Sequence, residues 1–204
     1  MEAPKLPIGR VLGNRQLLVF AACIMLFTLS NAALLPLAGS AITKQAGTAA
    51  SPIIAACIVL PQVIVALISP AVGRLADVRG RRPILLLGFC MLPLRGVLLA
   101  TTTDPVLVVL FQILDGIAAG CFGVMLPLVT TDIAGRSGHL NLALGFVGFA
   151  VGIGATLSTT VAGWIADDNG QRAAFLALAW AGLAALILVW FAMPETRSKN
   201  DDLP

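Results

Sequence analysis

Two charged side chains stand in apolar surroundings. Arg95 is the only charge between Arg82 and Asp104, and Asp115 is the only charge between Asp104 and Asp132. A guanidinium or carboxylate in such a run is expensive to keep and marks a functional site by default. The chemistry open to the pair is narrow. The carboxylate can take up and release a proton, and the guanidinium can hold it as an ion pair. Asn31, Gln62 and Gln112 add hydrogen-bonding amides to similar apolar runs. Other chemistries find no support. Cys23, Cys57, Cys90 and Cys121 fall one per run, without the paired spacing of a metal site, and read as small apolar packing residues. His139 is a lone histidine near Arg136 and reads as solvated or phosphate-facing. Gly135-x-x-Gly138 is a turn. There is no phosphate-binding loop, catalytic triad or metal cluster, so no enzyme, cofactor, metal or nucleic-acid partner is expected.

The elements that must position these residues follow from the charge count. The chain has 204 residues, with 13 Lys and Arg, 10 Asp and Glu, and a net charge of +3. It is 58% hydrophobic and 11% charged, against about 25% charged in an ordinary soluble domain. That excludes a water-soluble enzyme and a disordered tail. Uncharged runs longer than about 18 residues are candidate membrane spans. Six are expected, roughly 17–38, 52–72, 84–102, 105–130, 141–165 and 173–193. Segments such as IIAACIVLPQVIVALI are apolar on every face, which excludes the alternating pattern of a β-barrel. The first run is too long for a secretory signal and lacks a cleavage pattern. The expected class is an all-α membrane protein. Residues 1–16 form an N-terminal segment, 17–193 a six-helix bundle and 194–204 a tail.

Basic residues accumulate on the cytoplasmic side. With both termini inside, Lys5, Arg10, Arg15, Arg74, Arg79, Arg81, Arg82, Arg136, Arg197 and Lys199 are cytoplasmic, and only Lys44 and Arg172 are outside. Trp164 and Trp190 suit the two interfacial belts, and Trp180 is expected to pack against a neighbour. In this topology spans three and four are antiparallel neighbours. Arg95 then lies ~12 Å and Asp115 ~15 Å of helix from the outer face, so the two can meet. Two readings stay open: a structural pair that fixes packing, and a coupling pair in which Asp115 exchanges a proton while Arg95 tunes it.

The turn between spans two and three reads Gly73-Arg-Leu-Ala-Asp77-Val-Arg-Gly80-Arg81-Arg82-Pro83. Gly73 permits close backbone approach and Gly80 a sharp reversal. Pro83 suits the first turn of the next helix. Asp77 lies among four arginines and is expected to be paired. The pattern G-x-x-x-D-x-x-G-R-R resembles the signature loop of the major facilitator superfamily, which lies between the second and third spans of each six-span half. Phe111-Gln112-Ile-Leu-Asp115-Gly116-Ile-Ala-Ala-Gly120 is similar to the family's fourth-span motif, without its usual basic residue. Gly145, Gly148, Gly152, Gly154 and Gly163 resemble its glycine-rich fifth span, and Met193-Pro194-Glu195-Thr196-Arg197 resembles the tail after the last span.

The weak fourth-span motif and this tail resemble a C-terminal half, with Met1 to Gln16 as the end of a linker. The resemblance implies one six-helix half of a secondary transporter that works by alternating access. It further implies a second six-span half or a homodimer partner, a small-molecule substrate and a place in the plasma (inner) membrane. Gly73, Asp77, Gly80, Arg81 and Arg82 become a conformational latch, with Asp77 paired to Arg81 and to the start of span five. Asn31, Gln62 and Gln112 become cavity candidates, the alternative being interhelical hydrogen bonding. Gly148 and Gly152 allow close helix packing on one face. Few charges and no tyrosine favour proton-coupled efflux of amphipathic or lipophilic compounds. The alternatives are uptake of a small metabolite and a non-transporting fragment or membrane subunit.

Overall fold

A computed structural model describes residues 7–135 and 138–196. Lys5, Arg136, Arg197 and Lys199 lie outside the described residues, with the first six residues of the 1–16 segment and most of the 194–204 tail. The described residues form helices and turns, without a strand. A short helix α1 (Ile8–Leu12) precedes α2 (Arg15–Asn31), whose first turn is capped by the Asn14 side chain accepting from the Gln16 N–H at 2.9 Å. Next come α3 (Leu34–Ala46), a 3-10 turn (Gly47–Ala49) and α4 (Ala50–Arg79). They are followed by α5 (Arg81–Thr101), α6 (Pro105–Ala134), α7 (Leu140–Asn169) and α8 (Gln171–Ala192). With α2 and α3 counted as one span, six helices are long and apolar enough to cross a bilayer.

Several spans run past the expected bounds. α4 continues to Arg79, so the arginine-rich stretch is largely helix rather than loop, and Gly80 alone makes the reversal. Its φ of 95° is open to glycine at little cost. Gly170, at φ 84°, joins α7 to α8 in the same way. The first span is broken instead of continuous. Pro36 has no N–H, and its ring crowds the carbonyl four residues back, which belongs to Ala32. The helix stops at Asn31 and restarts at Leu34. Two fully buried serines hold the break. The Ser30 hydroxyl donates to the Leu178 carbonyl at 2.8 Å, and the freed Ala33 N–H donates to Ser158 Oγ at 3.0 Å.

In the bundle α4 packs on α6, α5 on α6 and α8, and α2 on α7 and α8. Apolar burial distinguishes these faces poorly, because lipid is as apolar as leucine. Close contact between small residues does the work instead. A Cβ added at Gly116 of α6 would meet Ile64 Cβ of α4 at 2.6 Å, and one at Gly96 of α5 would meet Ala179 Cβ of α8 at 2.9 Å. Cβ atoms added at Gly148 and Gly152 would meet nothing within 4 Å, so these residues pack no helix of this chain. They face outward, and the close approach falls on Gly154, where a Cβ would run into the Met25 carbonyl oxygen of α2. Gly73 is likewise surrounded by open space, since it stands on the outer face of a helix that has not yet ended. Trp180 packs less than expected and is 70% exposed. Cys23, Cys57 and Cys121 are buried, and Cys90 is exposed.

Candidate functional site

Two arginines of α5 organise the polar interior. Arg95 is 1% exposed. Its Nη1 donates to Asp115 Oδ1 of α6 and to Asn31 Oδ1 of α2, both at 2.7 Å, and its Nη2 donates to Gln112 Oε1 of α6 at 2.6 Å. Gln112, fully buried, turns its own amide onto the Val108 carbonyl of the preceding turn at 3.1 Å. The spacing of Gln112 and Asp115, three residues apart on a helix, puts both acceptors on one face. The antiparallel register of α5 and α6 brings that face to Arg95. Asn31 is the last residue of α2, so the break in the first span delivers its side chain to the same guanidinium. One cation is therefore held by one carboxylate and two amides, a charge-assisted set stronger than neutral pairs. Arg95 Nε is buried without a partner. Asp115 keeps 16% exposure, and its second oxygen takes no hydrogen bond among the described residues.

Of the three amide candidates, Asn31 and Gln112 are engaged with Arg95. Gln62 stands apart. It is exposed on α4 and makes no hydrogen bond within the described residues.

The second centre lies at the other end of α5. Arg81, 7% exposed, donates from Nη1 to Asp77 Oδ1 at 2.9 Å and to the Ala76 carbonyl at 2.8 Å, and from Nε to Asp132 Oδ2 of α6 at 3.0 Å. Asp77 is largely exposed, while Asp132 is 20% exposed. By burial the Arg81–Asp132 pair is the stronger contact, since exposed pairs are worth little. Glu195 completes the centre. Its two carboxylate oxygens accept from the backbone N–H groups of Arg81, at 2.8 Å, and Arg82, at 3.1 Å. These are orphan donors at the N-terminus of α5, where a negative charge is favoured. Arg82 Nη2 donates to the Trp190 carbonyl at 2.5 Å. Asp77, Gly80, Arg81 and Arg82 are thus brought together, and Gly73 is not.

Sequence reasoning missed Asp132 and assigned no role to Glu195. Asp132 lies where a span end is expected to be solvated, and its signal is indirect: it is the next acid after Asp115 on the same helix, α6. Glu195 was noticed only as part of a tail motif. No group of three or more His, Cys, Asp or Glu able to hold a metal ion occurs among the described residues.

Six apolar helices carrying a buried ion pair at depth and an arginine-centred network at one end define a multi-pass membrane protein. Comparison with known proteins supplies the family. The model of the Major Facilitator Superfamily matches residues 20–203, and the chain belongs to that family, as one six-helix half of its fold. The family is one of transporters, not enzymes. The chain is 42% identical over 183 residues to an uncharacterized MFS-type transporter of Mycobacterium tuberculosis, covering 90% of this chain and 44% of that protein. It is also similar to Monocarboxylate transporter 12 of Rattus norvegicus, 34% identical over 99 residues, 48% of this chain and 20% of that protein. A Gallate transporter of Pseudomonas putida is 30% identical over 128 residues, 61% of this chain and 27% of that protein. The chain spans less than half the length of these relatives.

Proposed function

We propose that this chain forms one half of a proton-coupled secondary transporter of the plasma (inner) membrane, which exports small amphipathic or lipophilic compounds by alternating access. The observation that carries the reading is Asp115. One of its oxygens is held by Arg95, and the other is free to take a proton from the accessible side. Protonation would cancel the ion pair while leaving Asn31 and Gln112 to hold Arg95, so the carboxylate can cycle without losing the scaffold. The bias of basic residues toward one side supports both termini in the cytoplasm. Asp77, Gly80, Arg81 and Arg82 then form a cytoplasmic latch that Glu195 and Asp132 brace, with Gly73 beside it on the open face of α4. Gln62 and the small-residue face of α7 at Gly148 and Gly152 stand open to a second six-helix half or a second copy. In such an assembly Gln62 lines the substrate path with Asn31, while Gln112 backs Arg95.

A second reading has its own support. Two relatives are named for carboxylates, monocarboxylate and gallate. When Asp115 is protonated, Arg95 offers a guanidinium to a substrate carboxylate. The chain then carries an organic anion together with a proton.

The test is transport by the protein carrying this chain in proteoliposomes with an imposed pH gradient. Ethidium serves as the amphipathic probe and benzoate as the carboxylate. Gradient-driven ethidium movement that falls at least about tenfold in Asp115→Asn is expected, the loss of a proton-transfer group being worth that much or more. Undiminished proton-coupled flux in Asp115→Asn would sink the coupling role. Movement of benzoate without ethidium selects the second reading.

A further inference from the structure

At the arginine-rich end, the starts of α2 and α5 and the end of α8 enclose a cavity of about 420 Å³. Arg15, Gln16 and Arg82 line its polar side, and Val19 and Met193 its apolar side. Alongside it an apolar groove of about 580 Å³ runs between α5 and α8, lined by Leu86, Leu87, Cys90, Ile187 and Trp190. Phe191 lines both, and Pro83 at the head of the groove follows Arg82 directly, so the two spaces adjoin. The lining of the cavity carries two arginines and no acid. Arg15 has no ion pair among the described residues. Arg82 uses one N–H on the Trp190 carbonyl, and its Nε is buried without a partner. The neighbouring carboxylate of Glu195 lies outside the cavity lining and accepts from backbone N–H groups of α5. Trp190, half exposed beside the groove, is the residue type that marks headgroup depth.

We propose that this composite site binds an anionic phospholipid of the leaflet on the arginine-rich side. Arg15 and Arg82 hold the phosphate, and one acyl chain lies in the groove between α5 and α8. The chemistry selects this ligand on two counts. Guanidinium forks match phosphate oxygens, and basic pockets between membrane helices on the cytoplasmic side suit anionic headgroups. A soluble phosphate compound would leave the groove idle, and a zwitterionic lipid would leave the two arginines uncompensated. The site is separate from the Arg95 centre and does not depend on which solute is carried.

The test uses the full chain with Trp164→Phe and Trp180→Phe, so that Trp190 alone reports. The chain is placed in phosphatidylcholine nanodiscs containing graded fractions of either phosphatidylglycerol or phosphatidylcholine with brominated acyl chains, which quench tryptophan on contact. Half-maximal quenching is expected at a phosphatidylglycerol fraction at least about fivefold lower than that of phosphatidylcholine, the effect of one basic side chain at an anionic surface. Arg82→Gln should erase most of this preference. Arg15→Gln, an exposed substitution away from the Arg81 centre, should lower it by about fivefold even if Arg82→Gln fails to fold. Equal quenching by the two lipids, or an unchanged preference in Arg15→Gln, overturns the site. Excess inorganic phosphate at constant ionic strength is expected to leave the preference in place. Its loss in phosphate would make this a free-anion site and overturn the lipid assignment.

Discussion

Replacing Asp115 by Asn isolates the charge of the buried pair, because Asn keeps an acceptor oxygen near Oδ1 and the shape of the side chain. What remains is a guanidinium at 1% exposure held by three neutral amides. Removing one partner of a buried ion pair costs about 3–5 kcal/mol, chiefly because the other charge is left uncompensated. The retained hydrogen bonds and the partial exposure of Asp115 argue for the lower end, about 3 kcal/mol. For a chain of this size that corresponds to a fall in Tm of roughly 6–12 °C. Adding Arg95→Met removes the stranded cation but orphans the Asn31 and Gln112 oxygens, at about 1–3 kcal/mol each when fully buried. The double variant should therefore recover only part of the loss. Still, the coupling between the two sites should be clearly non-additive, at about 1 kcal/mol or more. The assay is thermal unfolding in detergent followed with a thiol-reactive dye, for which the buried Cys23, Cys57 and Cys121 are internal reporters. Additive effects of the two substitutions, or an unchanged Tm in Asp115→Asn, would refute the view that this pair is a compensated buried charge.

Two glycines of α7 provide a matched contrast. Gly154→Ala forces α2 and α7 apart at the Met25 carbonyl and should destabilise by about 1–3 kcal/mol. Gly148→Ala meets open space in this chain and should be neutral or slightly stabilising in the same melt, equal losses at both positions being the contrary result. Glu195→Ala strips two N–H groups at the head of α5 of their acceptor. It should cost about 1 kcal/mol and speed deuterium exchange in the first turn of α5, and unchanged exchange there would remove the capping role.

The sequence reveals some of this more readily than the rest, for physical reasons. Uncharged runs declare six spans because a charge in hydrocarbon is costly whatever the fold. The Arg95–Asp115 contact was legible because a short connector forces antiparallel neighbours and helix rise then converts position into depth. The rotation of each helix about its axis was not legible. In water an apolar stripe marks the buried face, whereas in a bilayer both faces are apolar, so Gly148 and Gly154 look alike in sequence though one faces outward and the other touches α2. The break at Ala32 was signalled by Pro36 four residues later, but a proline in a membrane helix is often accommodated without a break. Asp132 and Glu195 meet Arg81 across 51 and 114 residues of chain, a distance at which no local spacing reports contact.

The two arginine centres have a joint consequence. Both stand on α5, roughly 20 Å apart at about 1.5 Å per residue, and each pairs with an aspartate of α6. A single ion pair lets two helices pivot about it. Two pairs at opposite ends of one interface oppose both pivoting and sliding, because either motion must break at least one charge-assisted contact. The helices α5 and α6 should therefore move as one body. The compliance of this half is expected instead in the first span, where the helix is already interrupted between Asn31 and Leu34 and side-chain hydrogen bonds of Ser30, Ser158 and Asn31 hold the break. Asn31 sits at that break and also touches Arg95. A change in the charge of the Arg95–Asp115 pair is thereby delivered to a point of the helical frame where the first span is already interrupted.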